Sequence, residues 1–176
     1  CLKVKPNPEL RRKGFFQLGV GVYGGALLNP WFDRDLSLAG RVTVLDENGK
    51  VCDTLVDFRK PVAFIPSLAI HLDREVNSNR TVNAQTDPPP VLMQVPETDT
   101  TSFADLLCQQ MASESGMKVR KVLGYELSFY DAREASFVGL RDEFIARDLQ
   151  SNGEQASVGL QSLLNTSGDE AALLVC

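Results

Sequence analysis

The sequence predicts an α+β protein in which a mostly antiparallel β domain with a few helices precedes a helix–strand piece of an α/β domain. Within residues 36–58, Asn48–Gly49 separates two apolar runs, which is typical of a β-hairpin with a type I′ turn. The continuously apolar run 171–176 follows a helix-like segment and is typical of a strand buried on both faces. These patterns place antiparallel strands first and an α/β piece last.

Other segments complete the β domain. Aromatic, apolar and glycine residues predict a strand over 15–25, and the prolines at 61 and 66 bracket a short strand over 62–65. Residues 67–76 are predicted to form a short helix, because apolar residues recur every four positions. Those residues are Leu68, Leu72 and Val76. A loop is expected over 77–90, which contains three consecutive prolines.

The second half contains two predicted helices. The first spans 102–116, with Ser102 as its N-cap and Gly116 as its end. Its expected buried stripe is Phe103, Leu106, Leu107 and Met111. Two β segments follow, at 118–131 and 136–140, and a second helix is predicted over 154–165. Its expected buried residues are Ala156, Leu160, Leu163 and Leu164.

Composition narrows the classes of function. The chain has 176 residues, 43% hydrophobic composition and a net charge of -5, without a basic stripe, so nucleic acid is not an expected partner. Its apolar runs fall short of the roughly 20 residues that a membrane span needs, so no membrane partner is expected. The four cysteines are expected to be reduced thiols packed as small apolar groups in a cytoplasmic protein. They are Cys1, Cys52, Cys108 and Cys176. Both ends look cut from a longer chain.

Candidate chemistry from residues alone is sparse. The single histidine, His71, cannot by itself supply the ligand set of a zinc site, and its plainer interpretation is a partly buried structural imidazole. A Ser/His/Asp triad stays open by composition, although no serine lies in a nucleophile elbow. Asp33 and Asp35 flank Arg34 and could hold a metal or share a proton, but ion pairing with arginine is favoured.

Several blocks together resemble the aspartyl aminopeptidases. The run WFDRDLSLAGRV at 31–42 is similar to a block of that family, and IPSLAIHLDREVN at 65–77 is similar to another. Weaker likenesses, in the same order as in the family, occur at 1–9, 83–92, 125–131 and 142–146. The resemblance covers nearly the whole chain, and WFDRDL with LAIHL is its most specific part.

This resemblance implies a metal-dependent aminopeptidase that removes N-terminal Asp or Glu from peptides. Residues 1–146 would form a barrel-like dimerisation and lid domain inserted into the catalytic domain, and 147–176 a fragment of the metal-binding α/β domain. The family is expected to carry two divalent metal ions, with zinc preferred and manganese or cobalt as alternatives. Its dimers are expected to build a dodecamer.

Most metal ligands of the family would lie outside this chain, which is therefore not expected to bind metal or to be active alone. The bridging aspartate of the family falls on Ser151, and its asparagine falls on Asn152. Asp148 is the nearby carboxylate, but it is out of register, so it is only a weak candidate ligand.

The resemblance gives His71 a catalytic role. It implies that this histidine enters the active site of a neighbouring subunit and contacts the substrate or the tetrahedral intermediate there. The second histidine of the family block stands as Ser67 here, so no catalytic role transfers to that position. The alternatives are a non-catalytic β-rich homo-oligomerisation module and a Cys/His hydrolase, for which no cysteine is placed near His71.

Overall fold

The computed structural model describes residues 1–146 and 161–165, and the chain divides into two compact units, 1–132 and 133–176. The first unit is mostly antiparallel sheet with one α-helix, which confirms the predicted fold class. The second contains a small hairpin and a helical stretch at 161–164. The expected boundary after residue 146 falls where the first described range ends, and it stays a prediction.

Six strands form one sheet in the first unit, in the spatial order β4-β3-β6-β1-β2-β5. They are β1 (Leu2–Arg12), β2 (Phe15–Val22), β3 (Leu36–Asp46), β4 (Val51–Asp57), β5 (Val91–Gln94) and β6 (Val119–Asp131). Every pairing is antiparallel. A 3₁₀-helix covers Asn29–Trp31, and the helix α1 covers Phe103–Ser115.

Two main-chain bridges join β3 to β5 through a short connecting segment. Ala63 pairs with Leu36 of β3, and Phe64 pairs with Val91 of β5. The N–H of Leu36 donates to the Ala63 carbonyl at 2.9 Å, and the N–H of Val91 donates to the Phe64 carbonyl at 2.8 Å. The segment therefore closes β3, β6, β1, β2 and β5 into a barrel, while β4 pairs with β3 outside that ring.

The core lies between the strands and α1. Apolar residues alternate along the strands, which puts one face of each strand inside. The fully buried strand residues include Leu2, Phe16, Leu18, Leu36, Leu38, Val42, Leu127 and Phe129. Phe103, Leu107 and Met111 of α1 cover one side of this core, as predicted, whereas Leu106 is only half-buried.

The ends of α1 follow the predicted capping pattern. The Ser102 hydroxyl accepts a hydrogen bond from the N–H of Asp105, and the Asp105 carboxylate accepts one from the N–H of Ser102, which together form a capping box. Gly116 ends the helix in the left-handed conformation, with φ of 67°. The helix predicted over 102–116 is confirmed.

The hairpin between β3 and β4 is present, but its turn differs from the prediction. Gly49 adopts φ of 78°, and it is the only residue of this fully described loop with a positive φ. The N–H of Gly49 donates to the carbonyl of Asp46, and the N–H of Asp46 donates to the carbonyl of Lys50. These bonds define a three-residue loop with glycine in the bulge position rather than a type I′ turn.

The predicted helix over 67–76 is wrong. Three short turns begin there instead, in which the carbonyls of Ala69, Asp73 and Glu75 accept hydrogen bonds from residues three positions later. Leu72 is 74% exposed, so the apolar spacing does not correspond to a face buried in this chain. A helix of this length depends on packing of its apolar face, which the described part of the chain does not provide. The loop predicted over 77–90 has no helix or strand, as expected.

The second unit contains a hairpin in which β7 (Ser136–Val138) pairs with β8 (Phe144–Ala146). Residues 161–164 are helical within the second predicted helix, but Leu164 is 74% exposed and not buried as expected. It lies in the last helical turn before Asn165. The predicted strand over 171–176 lies outside the described residues.

The structure also bears on two expectations from composition, which concern membrane spans and the cysteines. None of the helices among the described residues is long and apolar enough to cross a membrane. The three described cysteines are free thiols, but Cys1 is exposed, while Cys52 and Cys108 are half-buried. The expected packing is therefore wrong for Cys1, whereas Cys52 and Cys108 are partly packed against the protein.

Candidate functional site

The candidate site is the segment that carries His71, and we call residues 67–80 the His71 loop. His71 lies in the first of its turns, in which the carbonyl of Ala69 accepts hydrogen bonds from the N–H groups of Leu72 at 2.8 Å and Asp73 at 3.1 Å. The imidazole is exposed, so the structure contradicts a partly buried structural histidine. The described residues of this chain therefore leave His71 uncovered.

Apolar side chains surround the histidine and point to solvent. Leu68 is 58% exposed, Ile70 is 45% exposed and Leu72 is 74% exposed. Scattered exposed apolar residues are common on protein surfaces, but here three lie within five positions of the chain and flank His71, and we call these three the apolar patch. Such a patch is typical of a surface that another chain covers.

The start of the loop is anchored by Asp33. Its carboxylate accepts a hydrogen bond from the N–H of Ser67 at 2.8 Å, and its own N–H donates to the carbonyl of Ile65 at 2.8 Å. Asp33 adopts φ of 56°, a left-handed conformation that short polar residues such as Asp tolerate better than most. Ile65 is buried, so these two bonds join the loop to the wall of the barrel.

The end of the loop is anchored by Arg80. Its guanidinium lies 4.2 Å from the centre of the Phe32 ring and donates a hydrogen bond to the Ser67 hydroxyl at 3.3 Å. A cation over an aromatic face is attracted by the ring electrons. Arg80 therefore connects the two ends of the His71 loop and holds them against Phe32.

These contacts also affect ionisation. Hydrogen bonds from Ser67, with a smaller contribution from the positive charge of Arg80, hold the pKa of Asp33 below its usual value of 3.8. Asp33 is thus a carboxylate at neutral pH, as an acceptor for Ser67 requires.

The structure separates the residues of the 31–35 run. Arg34 pairs with Asp131 at the end of β6 at 3.0 Å and also donates to the carbonyl of Pro30. The backbone carbonyl of Asp35 accepts a hydrogen bond from the N–H of Ala132. Asp33 and Asp35 therefore serve different contacts and do not form a paired-carboxylate site.

A groove of about 660 Å³ lies beside α1. Its walls are mainly apolar and include Phe58, Val62, Phe64 and Leu106, with Asp35 among the polar residues that line it. His71 is not among its lining residues. The groove and the histidine are therefore separate features of the first unit.

The described residues do not fit a catalytic metal. Within 1–146 and 161–165, no three His, Cys, Asp or Glu side chains converge on a common point. A hydrolytic zinc site needs three protein ligands and an open position for water. The weak candidate Asp148 and the position of the family aspartate, Ser151, lie outside the described residues.

Comparison with known proteins identifies the family. The family model described as aminopeptidase I zinc metalloprotease (M18) matches residues 1–174. The chain belongs to the M18 peptidase family.

The M18 relatives include two from Pseudomonas, each described as a probable M18 family aminopeptidase 2. The protein from Pseudomonas syringae pv. tomato is 55% identical over 176 residues, which are 100% of this chain and 41% of the relative. The protein from Pseudomonas aeruginosa strain PAO1 is 54% identical over the same shares. The chain thus spans about two-fifths of the length of the relatives it matches.

Solved structures share the M18 fold. A structure of the Ape4 and Nbr1 complex matches with a TM-score of 0.77 and 34% identity, over 93% of this chain and 34% of that chain. Chaetomium thermophilum mApe1 matches with a TM-score of 0.65 and 36% identity, over 82% of this chain and 34% of that chain. The S. cerevisiae mApe1 dodecamer shares the fold at 24% identity and a TM-score of 0.58, over 82% of this chain and 31% of that chain.

Sequence reasoning singled out His71 as a candidate but did not identify the residues that anchor its loop. The family block drew attention to Asp33 without a role, and Arg80 carried no signal at all. A contact between Arg80 and Ser67 spans 13 residues of irregular chain. No hydrophobic period or turn motif encodes such a contact, so only the structure reveals it.

Proposed function

We propose that this chain is the β-rich part of an M18 metallo-aminopeptidase and that His71 acts in the active site of a neighbouring subunit. The observation that carries this proposal is the exposed imidazole of His71, which stands in an anchored loop within an apolar patch. Among the described residues, no ligand cluster for a metal accompanies it.

The proposed role of the imidazole is to stabilise negative charge. When a peptide carbonyl is attacked, its oxygen gains charge, and an imidazole N–H aimed at that oxygen binds the transition state more tightly than the substrate. Removing one such donor typically lowers kcat by about 10² to 10³. The metal centre, with zinc as the first expectation, would be built by segments other than those described.

Substrate class follows the same proposal. An enzyme that removes N-terminal Asp or Glu needs cationic groups near the substrate side chain, and we assign these to segments outside this chain. The preference for acidic residues rests on the resemblance of the WFDRDL and LAIHL blocks. A cytoplasmic location is proposed on the same basis.

Self-association is required by this mechanism, because the histidine must reach another subunit. Leu68, Ile70 and Leu72 supply an apolar patch suited to contact with a second copy. The dodecamer named for the yeast mApe1 structure is a property of that protein. For this chain we propose homodimers that build a larger homo-oligomer.

The second candidate is a homo-oligomerisation module without a catalytic residue. Strand β4 supports it, because it is the outermost strand of the sheet among the described residues, and its Val51 is 57% exposed and its Leu55 is 80% exposed. An uncovered edge with apolar side chains readily pairs with another strand. In this alternative, His71 would only be a contact residue.

Activity measurements on the full-length protein distinguish the two candidates. We expect His71→Ala to lower kcat for an N-terminal Asp peptide by about 10² to 10³, with the oligomer intact by light scattering. Arg74→Ala, in the same loop, is the matched control. An unchanged kcat for His71→Ala in an intact oligomer would rule out the catalytic role and leave the non-catalytic homo-oligomerisation module as the remaining candidate.

Mixed oligomers test action between subunits. Subunits with His71→Ala are combined with subunits that keep His71 but have lost their metal ligands. Each parent is inactive, and we expect the mixture to regain activity, because intact histidines then face intact metal centres. If the mixture stays inactive despite verified mixing, His71 acts within its own subunit.

A further inference from the structure

We propose that Asp33 and Arg80 are positioning residues that set the geometry of His71. This inference rests on the proposed catalytic role of His71. Neither side chain is assigned to the substrate; each would act through the backbone and side chain of Ser67, at the start of the His71 loop.

The first step is the closure of the loop. Arg80 donates to the hydroxyl of Ser67 at 3.3 Å, so residues 13 positions apart meet at the base of the loop. Fixing both ends of a segment reduces the conformations available to the residues between them. His71 lies four residues from the Ser67 end, close to this fixed base.

The second step is the attachment of that base to the barrel. Asp33 bonds to the N–H of Ser67 and to the carbonyl of Ile65, at 2.8 Å in both cases. Phe32, under the guanidinium of Arg80, follows the buried Trp31. The base therefore moves with the core, which begins again at the fully buried Leu36.

The third step is that the loop itself supplies little rigidity. Its described main-chain bonds are all local and form three short turns, closed on the carbonyls of Ala69, Asp73 and Glu75. Segments with few buried contacts open locally at low cost in free energy. Catalytic groups are sensitive to displacements of about 1 Å, which can lower rates by about 10². The contacts of Asp33 and Arg80 at the base of the loop are thus the part of this chain best placed to keep the His71 imidazole in a fixed position.

The left-handed backbone of Asp33 guides the choice of variants. Alanine at φ of 56° removes the acceptor and adds backbone strain, whereas glycine removes the acceptor without that strain. Asparagine tolerates the conformation and keeps an oxygen that can accept from Ser67. Asp35→Ala is the matched control, because it removes the neighbouring carboxylate of the same run.

The test is a double-mutant cycle on the full-length oligomer. We expect Asp33→Gly and Arg80→Ala each to lower kcat by about 10-fold to 100-fold with KM little changed. Asp33→Asn should recover most of the activity, and Asp35→Ala should match the unmodified protein. In a His71→Ala background, Asp33→Gly should cause no further loss, because its effect passes through the histidine.

Hydrogen exchange gives a readout that does not depend on catalysis. The amides of Leu72 and Asp73, bonded to Ala69, should exchange about fivefold faster in Asp33→Gly, the factor for loss of one hydrogen bond. The amides of α1 should be unchanged in the same sample. Exchange in Asp35→Ala should match the unmodified protein.

The outcomes separate this proposal from the function on which it rests. An equal loss of kcat from Asp33→Gly with and without His71 would overturn positioning, because the aspartate would then act independently. So would a normal kcat for Asp33→Gly while His71→Ala is impaired, although the role of His71 would stand. A normal kcat for His71→Ala in an intact oligomer would overturn both.

Discussion

The carboxylate of Glu9 accepts a hydrogen bond from the backbone N–H of Phe103 at 2.8 Å, so β1 helps to cap the first turn of α1 from 94 residues away. The first N–H groups of a helix have no partner within the helix, and the positive end of the helix dipole favours a carboxylate there. The capping box at Ser102 satisfies other groups of the same turn. Sheet and helix are therefore joined by a polar contact as well as by the core.

Glu9→Ala should lower the free energy of unfolding by about 1 kcal/mol, because it leaves the N–H of Phe103 without its carboxylate partner. Urea denaturation followed by circular dichroism measures the change. Glu97→Ala, an exposed acidic residue in the connection before α1, is the control and should stay within about 0.5 kcal/mol of the unmodified protein. Equal losses for the two variants would contradict the capping role.

Gly40→Ala should destabilise the protein strongly, by about 3 kcal/mol or more. A Cβ at this position would overlap the carbonyl oxygen of Glu126 on β6, and φ is 152°. Gly124→Ala on β6 is the matched control, since a Cβ there meets nothing within 4 Å. Thermal unfolding distinguishes them: a similar Tm for both variants would contradict the close approach of β3 and β6.

Asp131→Ala should cost about 2 kcal/mol of stability. The Asp131 side chain is 6% exposed and pairs with Arg34 at 3.0 Å, so the substitution leaves the half-buried guanidinium of Arg34 with a weaker set of partners. Asp53→Asn, in an exposed pair with Arg41, should change stability by less than about 0.5 kcal/mol. Chemical denaturation of both variants gives the comparison, and a larger effect at Asp53 would count against this account.

Acid should weaken the cap of α1. Hydrogen bonds from Ser102 hold the pKa of Asp105 below its usual value of 3.8. A carboxyl group whose pKa is lowered in the folded state stabilises the protein fully at pH values above its unfolded-state pKa. That stabilisation is lost as the pH falls through the folded-state pKa. The urea concentration at the unfolding midpoint should therefore decrease as the pH is lowered below about 4. Asp105→Asn should make this midpoint depend less on pH. An unchanged slope in Asp105→Asn would assign the acid sensitivity to other groups.

Much of the β domain could be predicted because its signals are local. The capping residues Ser102 and Gly116 define α1, and the glycine at 49 marks the β3–β4 hairpin. Strand β1 was missed because Pro6 and Pro8 interrupt its pattern. The structure accommodates them through a register shift between Val4 and Glu9, and such a bulge is not visible in alternation.

The His71 loop shows why the rest could not be predicted. Helical spacing of apolar residues predicts a face buried within a chain only when another segment of that chain packs against the face. Leu68 and Leu72 have helical spacing but face solvent. The contacts that define the loop instead come from Asp33 and Arg80, which are distant in sequence. Resemblance to a family located the histidine, but tertiary contacts determine how it is held.

The position of β6 has a consequence for synthesis on the ribosome. Strand β6 pairs with both β3 and β1, yet it is the last strand of the sheet to be made. Until residues 119–131 emerge, the nascent chain can form the β1–β2 and β3–β4 hairpins. In each hairpin, the strand that later pairs with β6 still has main-chain N–H and carbonyl groups without that partner. Translation pauses before residue 119 would prolong exposure of these edges and favour premature association between neighbouring nascent chains.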